Sequence, residues 1–204
     1  MKKLFLTAMI AVLSVVCIHA QASFGVKAGV NFANMTGDVA DNSMLTGVHI
    51  GVIGEFKVSD KFSVQPELLY AMQGYKSKDF DGLVTSDDTL KLSYINLPVM
   101  LKYYMIEGMS IEFGPQIGIL LAAKADGSEI YEGETTSWKD YDMDEYLEKV
   151  DFSLNFGLGY ELENNLFFQA RYTIGLSDIS KQEEGYEGKL KNNVIQLSVG
   201  YKFN

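Results

Sequence analysis

The chain of 204 residues holds one cysteine, three prolines, one tryptophan and two histidines. The cysteine, Cys17, lies in the N-terminal apolar stretch, so the rest of the chain has no intramolecular disulfide and no thiol redox chemistry. Beyond residues 4–18, no apolar run approaches the roughly 18 residues that a spanning helix needs. Positive charge is scarce: 17 Lys and Arg stand against 27 Asp and Glu, for a net charge of −10. That balance argues against nucleic acid as a partner. Only one histidine, His49, lies beyond the leader, and no serine sits beside it in a nucleophile elbow. A Ser/His/acid enzyme therefore lacks its parts, and no cofactor motif is present. What is abundant is glycine, tyrosine and phenylalanine, at 19, 12 and 12 residues, a composition suited to a large sheet.

The N-terminus reads as a targeting segment. Lys2 and Lys3 precede the apolar run, and small residues follow, with cleavage expected after Ala20 or Ala22. Residues 1–20 are therefore predicted to be a cleaved signal peptide and 21–204 a single barrel domain. Loss of the two lysines moves the formal charge from −10 to −12. Val15 and Val16 occupy the positions where a lipidated cysteine needs a small residue before it, which argues against lipidation of Cys17.

The remaining chain alternates. Residues 192–203 place Ile195, Leu197, Val199, Tyr201 and Phe203 on one face and Gln196, Ser198, Gly200 and Lys202 on the other. The same period-2 pattern recurs over residues 24–32, 46–58, 61–73, up to Tyr104, 109–123, about 152–162 and 166–176. This predicts eight strands. The phase before Tyr94 disagrees with the phase after it, so a bulge is expected near residues 93–95. Pro66, Pro98 and Pro115 fall inside strands, where each removes a ladder donor and predicts a local defect.

Two regularities select among all-β folds. The connections alternate long (33–45, 75–89, 124–149, 177–191) and short (59–60, 105–108, 163–165). Phe24, Phe56, Phe62, Tyr103, Phe113, Tyr160, Phe168, Tyr201 and Phe203 all fall on the apolar face near the short turns. Short turns at one end, long loops at the other and an aromatic ring at a boundary predict an eight-stranded antiparallel up-and-down transmembrane β-barrel. This layout places the protein in the outer membrane, in contact with its lipid, with both termini periplasmic. The closing strand, through Val199, Tyr201 and Phe203, is then the export and assembly signal read by the barrel-assembly machinery.

Six segments carry a resemblance to a known family: residues 24–32, 61–70, 94–103, 113–118, 155–160 and 196–203. In these the chain resembles the PorT-like outer-membrane barrels of Bacteroidetes. The resemblance touches nearly all of residues 21–204, includes the three strand prolines and implies the barrel fold. It implies no activity, and the acidic stretch 124–149 looks particular to this chain.

Parity turns Lys27, Lys57, Lys102, Arg171 and Lys202 inward, together with Glu55, Glu67, Glu112, Asp151 and Glu161. An eight-stranded barrel is only wide enough for side chains to fill it. A salt-bridged lumen centred on Glu67, Lys102, Glu112 and Arg171 is therefore expected, with His49 as an inward hydrogen-bonding group. Asp140, Asp142 and Asp144 are spaced like the first ligands of a calcium loop, but Glu145 stands where that loop needs glycine. A solvated acidic loop with a short helix through Lys149 competes with that reading. Asp88-Thr89-Leu90 resembles an O-glycosylation acceptor. The long loops are acidic and carry Tyr131, Trp138, Tyr141, Tyr146 and Tyr186, residue types favoured at binding surfaces. The resulting expectation is a non-enzymatic barrel with a plugged polar lumen and a structural or interaction role, its loops meeting a surface or envelope protein. The alternatives are a small porin-like channel and a soluble lipocalin-like ligand binder.

Overall fold

The computed structural model describes residues 21–37, 42–80, 84–131, 134–181 and 188–203. The leader, Cys17 and Tyr186 lie outside these. Among the described residues there are nine strands and no α-helix. They are β1 (Gln21–Gly37), β2 (Asn42–Lys57), β3 (Phe62–Phe80), β4 (Val84–Ile106), β5 (Met109–Tyr131), β6 (Glu134–Asp142), β7 (Val150–Glu161), β8 (Leu166–Gly175) and β9 (Leu190–Phe203).

Neighbours in sequence pair antiparallel except β6 and β7, and β1 also pairs with β9. With β5 joined to β7, eight staves close into a ring in the order β1-β2-β3-β4-β5-β7-β8-β9. Closure removes the sheet edges that would otherwise recruit other strands. The ring follows from the alternation: Val48, Ile50, Val52, Leu197 and Val199 point outward and are exposed, whereas Lys27, Glu67, Gln196 and Lys202 point inward and are buried. At the short-turn end the expected aromatic residues stand on the outer surface and touch across strands. Phe62 packs on Tyr103 at 4.9 Å between centroids, Phe113 on Phe156 at 5.0 Å and Phe24 on Phe56 at 6.3 Å.

The ninth strand departs from expectation. Residues 75–89 and 124–149 read as loops, yet β3, β4 and β5 run on beyond the ring and, among the described residues, β6 adds to β5 alone. Cross-strand ion pairs hold this outer sheet: Lys78–Asp87 at 2.7 Å, Lys124–Asp140 at 3.4 Å and a close Lys91–Asp126 pair. Paired backbone satisfies itself without burying a face, so both faces stay polar and the strands show no apolar alternation. Nor does a helix lead to Lys149; residues 144–146 form a turn, followed by an isolated bridge from Leu147 to Ser180.

The register break expected near residues 93–95 is present, but the extra residue is Leu121 on β5: Ser93 pairs with Ala122, and Tyr94 with Leu120. β4 itself never changes phase. Leu90, Leu92 and Tyr94 are buried on the same face as Asn96 and Lys102. The apparent change arose because inward positions become apolar above Asn96. Beside each proline the ladder skips two pairs, between Ile53–Glu67 and Phe56–Val64, Pro66–Val99 and Leu69–Asn96, and Pro98–Gln116 and Leu101–Phe113. The register is the same on both sides of each gap, so these are missing bonds rather than bulges.

Candidate functional site

Inward parity places at least one charged side chain from each stave in the lumen, and eight of these, one per stave, are linked. They join in a chain of alternating sign. Lys27 Nζ lies 2.8 Å from Glu67, whose carboxylate meets Arg171 at 2.6 Å. Arg171 also holds Glu112 at 2.8 Å, and Lys102 stands 3.7 Å from Glu112 and 3.1 Å from Glu55. Lys202 then bridges Glu55 and Glu161, each at 2.5 Å. Glu67, Arg171, Glu112 and Lys102, singled out from sequence, are thus the second to fifth members of an eight-membered chain.

Neutral groups occupy the remaining lone pairs and protons. Gln65 donates to Glu67 at 2.7 Å, Gln169 to Glu112 at 2.9 Å and Ser63 to Glu55 at 2.7 Å. The Tyr104 hydroxyl makes a close bond to Glu55. Such saturation is what makes paired charge tolerable away from water. The wall glycines provide the room: a Cβ on Gly157 would stand 2.7 Å from Arg171 Cγ, and one on Gly159 would stand 2.6 Å from Glu112 Oε1. Two of the ten charges expected inside behave otherwise. Lys57 ends its strand and is exposed at the short-turn mouth. Asp151 is buried, but its partners are Ser177 Oγ at 2.7 Å and Asn192 Nδ2 at 2.9 Å.

The two ends of the lumen differ. At the short turns an open cavity of about 1080 Å³ is lined by Lys57, Lys61, Tyr104, Glu107, Glu161 and Glu163, so the ionic chain reaches this mouth at Glu161. Above the charges, His49 is fixed between Asn31 Oδ1 at 2.7 Å and Ser198 Oγ at 2.8 Å. Higher still, Met35, Leu90, Leu92, Tyr94, Leu120, Ala123, Leu147 and Ile179 form a buried apolar cluster. Leu147 and Ile179 come from the connections into β7 and β9. Glu148 N–H donates to Ile179 O at 2.8 Å and Lys181 N–H to Tyr146 O at 2.9 Å, which ties the two segments together. Sequence reading missed this layer. Its only signals were Leu90, Leu92 and Tyr94 in constant phase, and two lone apolar residues in polar stretches.

The acidic triplet does not converge. Asp140 pairs with Lys124, Asp142 accepts from the Asp144 backbone at 2.9 Å, and Asp144 pairs with Lys149 at 2.6 Å. Among the described residues no group of three or more His, Cys, Asp or Glu is arranged to hold a metal. Hydrogen bonds lower two carboxyls here: the Asp140 backbone N–H and then Lys91 for Asp126, and Lys149 for Asp144. Asp88 is instead pushed up, first by burial and then by Asp87 and Glu129. Thr89 lies in β4 between Lys76 and Asp126, half-exposed. The residues proposed as an assembly signal, Val199, Tyr201 and Phe203, face outward on β9, with Tyr201 and Phe203 rings 5.7 Å apart.

Residues 19–181 match the model of a family described as an outer membrane protein beta-barrel domain. Neisserial surface protein A superposes with a TM-score of 0.54 at 14% identity, over 90% of this chain and 99% of that one. A major outer membrane protein of Thermus thermophilus (TM-score 0.48, 14% identity, 90% of this chain and 100% of that one covered) and Ail of Yersinia pestis (0.45, 14%, 90% and 99%) are further solved structures with which the chain aligns. No curated protein sequence matches the chain. At this identity the likeness to the neisserial protein speaks for the fold alone.

Proposed function

Since the chain belongs to the outer membrane protein β-barrel domain family and is thereby an outer-membrane barrel, we propose that it is a non-enzymatic member closed by its own side chains. The observation that carries this reading is the unbroken chain of seven ion pairs, one group per stave, from Lys27 to Glu161. A solute crossing the barrel must break several of these pairs at once and pass the apolar cluster above them. Each unpaired buried charge costs about 3–5 kcal/mol. Planar-bilayer recordings of the wild-type protein are expected to show no steady openings. Regular unitary conductance would overturn the closed reading in favour of a small porin-like channel.

In this reading the short turns and both termini face the periplasm, residues 1–20 are the export signal, and Val199, Tyr201 and Phe203 engage the barrel-assembly machinery. Within the family, the strand motifs at 61–70, 94–103 and 113–118 support placement with PorT-like barrels. The role itself is structural or interactive. Residues 124–149 carry nine carboxylates against three lysines, and among the described residues one edge of β6, beside Trp138 and Tyr141, pairs with no strand. An acidic, aromatic-bearing strand edge suits a basic extended segment of an envelope protein. A soluble lipocalin-like binder would need a polar exterior, and the barrel wall carries the reverse.

A further inference from the structure

The ionic chain from Lys27 to Glu161 contains four cations and four carboxylates. Asp151 is a ninth charged side chain inside the barrel, 5% exposed, and stands outside that balance. Both of its hydrogen-bond partners, Ser177 and Asn192, are neutral. No lysine or arginine among the described residues lies within ion-pair distance of it. Between residues 21 and 204, the positions outside the described set include no Lys, Arg or His. That part of the chain therefore supplies no counter-charge for Asp151.

A second observation points to the same place. Asn192 is 1% exposed, and its Oδ1 has no hydrogen-bond partner. Asn96, Gly118 and Asp151 follow one another across β4, β5 and β7 as register partners. The point where a Cβ of Gly118 would sit is 2.8 Å from Asn96 Oδ1 and 3.6 Å from Asp151 Cβ, so the two side chains converge there. The Tyr94 hydroxyl closes the group, 3.4 Å from Asn192 Nδ2.

A proton on Asp151 would cancel its charge, but in either orientation of the Asn192 amide one of its two polar atoms would stay without a partner. A hard cation answers both, since carboxylate, amide and hydroxyl oxygens are the ligands such ions take. One carboxylate matches one positive charge, and a divalent ion would leave an excess. We propose that Asp151, the Asn192 amide oxygen and the hydroxyls of Ser177 and Tyr94 bind a monovalent metal cation of the sodium or potassium class. The site lies between the ionic chain and the apolar cluster, and its existence does not depend on whether the barrel conducts.

Thermal unfolding of the full barrel in detergent, in NaCl, KCl and choline chloride at equal concentration and pH, tests this. Binding to the folded state predicts a saturable rise of about 3 °C or more in sodium or potassium over choline. Asp151→Asn should abolish the difference, and Ser177→Ala should move the titration to higher salt. Coincident wild-type midpoints in the three salts would overturn the site and assign a proton to Asp151. An undiminished salt response in Asp151→Asn would overturn it as well. Should Asp151→Asn fail to fold, the wild-type comparison and Ser177→Ala decide: an unshifted titration in Ser177→Ala counts against the site.

Discussion

Arg171 on β8 and Glu67 on β3 meet across the full width of the barrel. Three staves separate them in either direction around the ring, and the guanidinium holds the carboxylate through two bonds of 2.6 and 2.9 Å. The same guanidinium holds Glu112 on β5. One planar cation thus ties three staves together, a geometry that lysine cannot reproduce.

Arg171→Ala leaves Glu67 and Glu112 facing each other with Lys27 and Lys102 as their remaining cations. A loss of about 3–5 kcal/mol is expected, because a buried partner is stranded rather than a pair removed. Heat-modifiable gel mobility against temperature reads it. Glu67→Gln with Arg171→Met should recover much of the loss, and equal instability of the double and single variants would contradict this account.

The apolar cluster depends on two residues that arrive from connecting segments. Ile179→Ala or Leu147→Ala should loosen that end by about 2–4 kcal/mol while leaving the ring intact. Amide exchange at Glu148 and Lys181, which bond to Ile179 O and Tyr146 O, is the direct measure. Unchanged protection at both amides would show that the cluster does not hold the two segments together.

The outer sheet should weaken in acid. Asp126 and Asp144 are held below the ordinary carboxylate range, the first chiefly by the Asp140 N–H and the second chiefly by Lys149. A carboxyl lowered in the folded state adds stability above its unfolded pKa of about 3.9 and loses it as pH falls through the folded value. The amides of Asp140 and Ala123 donate to these carboxylates and report the titration by NMR. Their midpoints should fall below about 3.9; midpoints at or above it would contradict the assignment.

Replacing residues 126–141 by a two-residue Asn-Gly turn removes β6 and the end of β5. Among the described residues β6 pairs only with β5, and it lies outside the ring, so the barrel should still fold and keep its gel mobility. Loss of the folded form would mean that the outer sheet takes part in closing the ring.

The legible part of the structure was whatever depends on local alternation. Phe24 to Phe32, Leu166 to Ile174 and Ile195 to Phe203 declare their outward faces because strand side chains alternate with period 2. Eight such runs with alternating connection lengths specify eight staves. β6 stayed hidden since both its faces are exposed, and hydrophobic pattern reports burial rather than hydrogen bonding. Leu90 and Leu92 misled because an apolar residue at an inward position looks like an outward one shifted by a step.

Parity by itself therefore determined which side chains enter the barrel and which meet lipid, including Glu67, Lys102, Glu112 and Arg171. Only the closed ring decided that Arg171 reaches Glu67 on the opposite stave, that Lys57 stays at the mouth, and that Asp151 meets no lysine or arginine among the described residues. The physical reason is range. Alternation is a property of neighbouring residues, whereas partners across a lumen are set by strand order, register and closure, which no single strand encodes.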